Sequence, residues 1–198
     1  MIAIVDYRAG NLASVRKALD HLGQQSQITD DPEVVLRADK VILPGVGHFA
    51  ATQVLENSGL KAAMQQAIGR GTPFLGICVG MQWMFEGSEE APEVAGLGLF
   101  QGTCARFPTD MKVPHVGWNR LQHKSESKIL RGIAPDAFVY YTHSYRAPIV
   151  QGAVAETEYG TAFSAVVERD NVFGVQFHPE KSAAAGLALL RNFCEARC

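Results

Sequence analysis

Cysteine is scarce in this chain, with four in 198 residues, at positions 78, 104, 194 and 198. Their spacing makes no disulfide framework, and a reduced, cytoplasmic setting is expected. Cys194 and Cys198 stand i,i+4, but no His or Cys cluster accompanies them as a zinc site requires, so no metal and no cofactor is expected. Positive charge is also short. The 18 Lys and Arg are balanced by 20 Asp and Glu, and no basic run gives the footprint of a nucleic-acid binder. No apolar run reaches the length of about 20 residues that spans a bilayer. The start, Met1-Ile2-Ala3-Ile4-Val5-Asp6, reads at once as a strand and lacks the charged region and cleavage site of a signal peptide. Repeats, low-complexity stretches and linkers are absent. What remains is an ordinary globular balance, long enough for one sizeable core, so one domain over 1–198 is expected.

The first half alternates strand and helix. Ile2 to Val5 is a continuous apolar run, as in a strand buried on both faces. Asn11 is placed to cap a helix through Leu22, with Leu12, Val15, Leu19 and Leu22 at helical spacing and Gly23 as the stop. Val41-Ile42-Leu43 is a second strand, ended by Pro44-Gly45-Val46-Gly47, and a long helical stretch to about Gly69 follows. Phe74 to Ile77 is a third strand and Val79 to Phe85 the next helix. The second half has short strand-like runs (138–145, 153–156, 165–168, 172–177), with Arg169-Asp170-Asn171 as a hairpin turn, and a closing helix from Ala183 to Phe193. The pattern predicts an α/β fold: a mostly parallel central sheet flanked by helices, extended by an antiparallel section in the second half.

The chemistry concentrates around Gly76-Ile77-Cys78-Val79-Gly80. A Gly-x-Cys-x-Gly between a buried strand and a helix has the layout of a nucleophile elbow. A cysteine there meets a helix N-terminus, which favours thiolate. The residues alone fit a small buried core cysteine as well. A nucleophile needs a base, and His178 ends the apolar run 172–177. Strand alternation puts Gln176, His178 and Glu180 on one face, where Glu180 can orient the imidazole, although a strand-end His beside a solvated Glu is common. Oxyanion donors would be the N–H of Val79 and one from the glycine-rich turn Pro44-Gly45-Val46-Gly47 at a strand C-terminus, itself an ordinary turn if taken alone. Gln82, one helical turn after Cys78, can reach a substrate held at the sulfur. Tyr140, Tyr141, His143, Ser144 and Tyr145 form an aromatic and polar strand.

Together, Pro44-Gly45-Val46-Gly47, the Cys78 elbow and Gln176-Phe177-His178-Pro179-Glu180, with the cysteine ahead of a His-Pro-Glu near the end, resemble a class I (triad) glutamine amidotransferase. Within that class the chain is similar to the glutaminase subunits of imidazole glycerol phosphate synthases. Asp6-Tyr7-x-x-Gly10-Asn11-Leu12-x-Ser14-Val15, Pro114-His115-Val116-Gly117-Trp118-Asn119, Tyr141-Thr142-His143-Ser144-Tyr145-Arg146 and Lys181 carry that resemblance. Arg8 and Ala9 stand where the family usually has Gly-Met.

The resemblance implies hydrolysis of glutamine to glutamate and ammonia. Cys78, His178 and Glu180 would be the triad, Gly47 and Val79 the oxyanion hole, and Gly45, Gln82, Ser144 and Tyr145 the substrate contacts. It implies a heterodimer with a (β/α)8-barrel cyclase subunit in histidine biosynthesis, with Trp118, Asn119, Tyr140 and Lys181 at the interface. Glutamine turnover would stay weak until that partner is occupied. The alternative is a glutaminase of another pathway, such as anthranilate synthesis, which would share the triad and differ in its partner-facing residues.

Overall fold

The computed structural model of the chain describes residues 1–196. The apolar runs Ile2–Val5, Phe74–Cys78 and Val172–Val175 are buried at every position, as strands covered on both faces must be. All belong to one eight-stranded sheet. Its order is Ser26–Thr29, Ile2–Val5, Lys40–Gly45, Phe74–Cys78, Val172–Val175, Thr161–Arg169, Ala153–Tyr159 and Gln122–His123. Pairing is parallel through the first five strands and antiparallel through the rest. The expected parallel sheet with an antiparallel extension is therefore the observed one. Asp170 and Asn171 form the expected hairpin turn, Arg169 pairing with Val172 across it.

Helix Leu12–His21 buries Val15, Ala18 and Leu19, and helix Ala183–Glu195 buries Leu189, Leu190 and Phe193, all within one core, with Gly186 buried on the same helix. Asn11 is at the N-cap of the first helix but its side chain makes no capping bond. Several expected boundaries move. The strand after Asp39 runs on through Pro44 and Gly45. Its pairing with Ile2–Val5 stops at Ile42, so the proline has a sheet neighbour on one side only, as a residue without an N–H needs. The stretch to Gly69 is three pieces: Phe49–Thr52 (3-10) runs straight into Gln53–Asn57, and Gly59 at φ +78° separates these from Leu60–Gly69. The helix after Cys78 covers only Val79–Gln82; i→i+3 bonds from Met84 and Phe85 then tighten the chain into turns.

Two small sheets complete the second half. Thr103–Arg106 lies between Tyr145–Arg146 and Gly87–Ser88, and His115–Arg120 pairs antiparallel with Phe138–His143 as a two-stranded ribbon. No helix among the described residues is long and apolar enough to cross a membrane.

Candidate active site

Cys78 is the last residue of its strand and the N-cap of the short helix, at φ 54° and ψ −110°. Positive φ at a non-glycine residue with that ψ lies outside the left-handed well and is strained. The glycines on either side explain how so sharp a turn packs. A Cβ on Gly80 would fall on the Leu43 carbonyl, and one on Gly76 would sit 2.6 Å from the Gly80 carbonyl oxygen. Gly45, paired with Cys78 across the sheet, would place a Cβ 2.5 Å from the Tyr7 hydroxyl and 2.7 Å from the Gly80 nitrogen. Gly45 is thus a close-approach position beneath the elbow rather than a wall of the cavity described below. The Tyr7 hydroxyl there is buried without a hydrogen-bond partner among the described residues. Burial, and secondarily Cys78, push its pKa up.

His178 and Glu180 meet as expected, Nδ1 to Oε1 at 2.9 Å, with both side chains 1% exposed. The reason differs from strand alternation. The strand ends at Val175, His178 N-caps a 3-10 turn Pro179–Lys181, and Glu180 curls back from inside that turn. Pro179 at the first position of the turn starts it. Burial alone would depress the His178 pKa. The Cys78 sulfur and then the Glu180 carboxylate outweigh it and raise it from 6.5 to about 10. His178 Nε2 nevertheless makes no hydrogen bond among the described residues. The Cys78 sulfur raises the ring's pKa as a neighbouring hydrogen-bond acceptor first and through its charge second, although the pair falls short of full hydrogen-bond geometry. Its own contacts are long, to the Thr142 carbonyl at 3.9 Å and from Gln176 Nε2 at 3.8 Å.

Beside the sulfur lies a cavity of about 280 Å³ whose lining includes Val46, Gly47, Cys78, Val79, Gln82 and Glu90, with Pro114 and the segment Thr142 to Tyr145 opposite. The expected Gly47, Val79, Gln82, Ser144 and Tyr145 are all on its wall. Gly47 takes φ +96°, and a Cβ on it would meet nothing within 4 Å. Gln82 Nε2 donates to the Tyr145 carbonyl at 2.8 Å and to Gln176 Oε1 at 3.3 Å. Both amide protons are spent, and Oε1 is left for a ligand. Glu90 went unread in the sequence, where no spacing rule marks an acid eight residues after Gln82. Among the described residues it is the only carboxylate on the cavity wall, and its Oε2 accepts from the Phe49 N–H at 2.7 Å, tying down the exit of the glycine-rich turn.

A family model described as Glutamine amidotransferase class-I matches residues 3–196. The chain belongs to the class-I glutamine amidotransferase family. Curated relatives named imidazole glycerol phosphate synthase subunit HisH match along nearly the whole length. The one from Moorella thermoacetica is 48% identical over 98% of this chain and 94% of its own. That from Methanopyrus kandleri is 48% identical over 96% of this chain and 94% of its own, and that from Salinibacter ruber 45% over 98% and 93%. Within the family the chain groups with these HisH subunits. Solved structures share the fold at lower identity. A crystal structure of a glutamine amidotransferase aligns with TM-score 0.78 and 18% identity over 98% of each chain, and PurLQS from Thermotoga maritima with 0.76 and 17% over 98% and 97%.

In this amidotransferase the two-stranded ribbon separates two kinds of residue. Its register pairs Val116 with Thr142, Trp118 with Tyr140 and Arg120 with Phe138 on one face. That face is open and apolar: Val116 is 56%, Trp118 51% and Phe138 52% exposed. Lys181 Nζ stands 5.8 Å from the Tyr140 ring centre, and the Trp118 ring 6.0 Å from it. Asn119 does not share this face with Trp118. Adjacent strand residues point opposite ways, and its Nδ2 turns inward to the Glu158 carbonyl at 2.9 Å and His115 Nε2 at 3.3 Å. The inner face also carries His115 and His143, Nδ1 to Nε2 at 3.0 Å, packed among Phe107, Tyr141, Tyr159 and Phe163. Burial lowers the His115 pKa to about 4 and, as its chief cause, that of His143 to about 3. Both rings are neutral near pH 7. The ribbon also holds His178, whose backbone N–H donates to the Tyr140 carbonyl at 2.9 Å.

Proposed function

We propose that this chain is the glutaminase subunit of an imidazole glycerol phosphate synthase, hydrolysing glutamine to glutamate and ammonia and delivering the ammonia to a (β/α)8-barrel cyclase subunit in histidine biosynthesis. The observation that carries the reading is the strained Cys78 elbow opening into a small cavity, with the His178–Glu180 pair beside it. A cavity of about 280 Å³ is at the lower end for ligand sites and suits a free amino acid.

The roles follow from the chemistry of each group. The Cys78 thiolate attacks the carboxamide carbon. The amides of Gly47 and Val79 receive the oxyanion, each such donor being worth about 3–4 kcal/mol of barrier. His178, whose raised pKa keeps it protonated at neutral pH, gives its proton to the departing ammonia. Neutral again, it takes a proton from water as that water attacks the thioester, releasing glutamate. Glu180 fixes the tautomer and carries the imidazolium. Gln82 Oε1 and the Glu90 carboxylate are acceptors, suited to the substrate's α-ammonium, while the backbone N–H groups of Ser144 and Tyr145 suit its carboxylate. The open face of Val116, Trp118 and Phe138, with Tyr140 and Lys181 beside it, is the surface offered to the cyclase.

The test is Cys78→Ala assayed with the cyclase. Glutamine hydrolysis is expected to vanish, while imidazole glycerol phosphate still forms when ammonium is added. Retained glutaminase activity would sink the mechanism, and failure of the wild-type chain to support the cyclase with glutamine would sink the pathway.

A further inference from the structure

The inner face of the ribbon carries hydrogen bonds whose directions are fully determined. The Tyr145 carbonyl can only accept, so His143 Nδ1, 2.8 Å away, holds the proton. With that ring neutral, its Nε2 accepts, and His115 Nδ1 must be the donor across 3.0 Å. His115 Nε2 then accepts from Asn119 Nδ2 at 3.3 Å. Asn119 is itself pinned, giving its other proton to the Glu158 carbonyl and accepting from the Arg120 N–H through Oδ1. The chain therefore runs one way, from Asn119 through His115 and His143 to the Tyr145 carbonyl. That carbonyl also takes the Gln82 amide proton, so both of its lone pairs are filled, one from each side.

We propose that His115 and His143 are positioning residues for glutamine binding, holding the Tyr145 carbonyl, and through it the Gln82 amide, in the orientation that leaves Gln82 Oε1 toward the substrate. This rests on the glutaminase reading above. Neither histidine reaches the sulfur or the base through a hydrogen bond among the described residues, and their contribution falls on substrate affinity. Without the His143 donor, the Tyr145 carbonyl and the Gln82 amide are free to turn, and the ammonium acceptor is lost part of the time. Phe107 and Phe163 form an apolar surround that accepts a phenyl ring at position 143.

The experiment uses the full chain assembled with its cyclase, with assembly and melting temperature checked for each variant. His143→Phe removes the donor and keeps a ring. It is expected to raise the KM for glutamine about tenfold while kcat changes less than threefold. His143→Asn, which restores an N–H near the Nδ1 position, brings KM back to within threefold of wild type. Asn119→Ala, at the far end, raises KM two- to threefold alone and adds nothing in the His143→Phe background. Equal KM values for the Phe and Asn variants, a fall in kcat at constant KM, or additive effects of positions 119 and 143 would each overturn the proposal. If His143→Phe does not assemble, the KM of Asn119→Ala decides: unmoved, it refutes the relay. A wild-type complex without glutaminase activity fails the underlying reading instead, and the proposal falls with it.

Discussion

The backbone at Cys78 makes a stability prediction that runs against the usual order of residues. In ordinary sites glycine is less stabilising than alanine by about 0.5–1 kcal/mol, because its unfolded chain is freer. At φ 54° and ψ −110° an alanine carries the same Cβ strain as the native cysteine, a strain worth about 1–3 kcal/mol at such positions. Glycine carries almost none of it. Subtracting the entropy penalty leaves Cys78→Gly more stable than Cys78→Ala by roughly 0–2.5 kcal/mol, with about 1 kcal/mol as the central value. Both variants lack the Cys78 thiol and delete the same buried sulfur, so the comparison reads what a Cβ does at this backbone. Urea unfolding of the two proteins reads the difference directly. Thermal unfolding should show the glycine variant melting about 2–4 °C higher for each kcal/mol. A glycine variant less stable than the alanine one by about 1 kcal/mol would mean that the turn is unstrained in solution, and the elbow argument would lose its physical basis.

Further outcomes follow from neighbouring features. Arg8 stands at φ 65°; Arg8→Gly is expected to stabilise the chain by about 0.5–1 kcal/mol in urea unfolding, since the left-handed penalty of about 1–2 kcal/mol exceeds the glycine entropy term. Gly80→Ala puts a methyl on the Leu43 carbonyl and should destabilise by about 1–3 kcal/mol or more, with denaturation at native-like stability as the refuting result. The His178 pKa of about 10 lies above its ordinary 6.5, so its pairing contributes stability fully below pH 6.5 and loses it as pH rises towards 10. Glu180→Gln should lower that pKa, seen by NMR titration of the ring, and flatten the alkaline loss. An unmoved titration would deny Glu180 its role.

Much of this was legible in the sequence for reasons the structure explains. The elbow announced itself because glycines 76 and 80 answer to close backbone contacts, and such contacts leave no other residue type open. His178 and Glu180 were paired correctly through the wrong geometry: Pro179 starts a 3-10 turn, and a two-residue spacing brings groups together there as well as on a strand. Strand Ser26–Thr29 escaped notice because, at the sheet edge, it needs only one apolar residue, Ile28, and shows no buried run. The ribbon strand His115–Arg120 was hidden by having apolar residues on its open face and polar ones inside, the reverse of the pattern that reveals a strand. Glu90 and the His115–His143 pair depend on contacts between distant segments, which no local spacing encodes.

Three adjacent parallel strands explain why the elbow can hold its strain. Lys40–Gly45, Phe74–Cys78 and Val172–Val175 run side by side. Their C-terminal ends open at one edge, where ligand sites of α/β sheets form. They deliver, in turn, the Val46-Gly47 turn, the thiol, and Gln176 with His178. Strain at a single residue persists only where its surroundings over-determine it, and here the elbow is gripped on both sides by paired backbone. The ribbon strand Phe138–His143 adds a fourth hold. Its Tyr140 carbonyl fixes the His178 amide, its Thr142 carbonyl faces the sulfur, and His143 reaches the Tyr145 carbonyl that Gln82 shares. The outer face of that same strand is the exposed apolar surface. One short strand therefore carries contacts to His178, to the Cys78 sulfur and to the Tyr145 carbonyl on its inner side and exposed apolar surface on its outer side, so the site and the open face share one element.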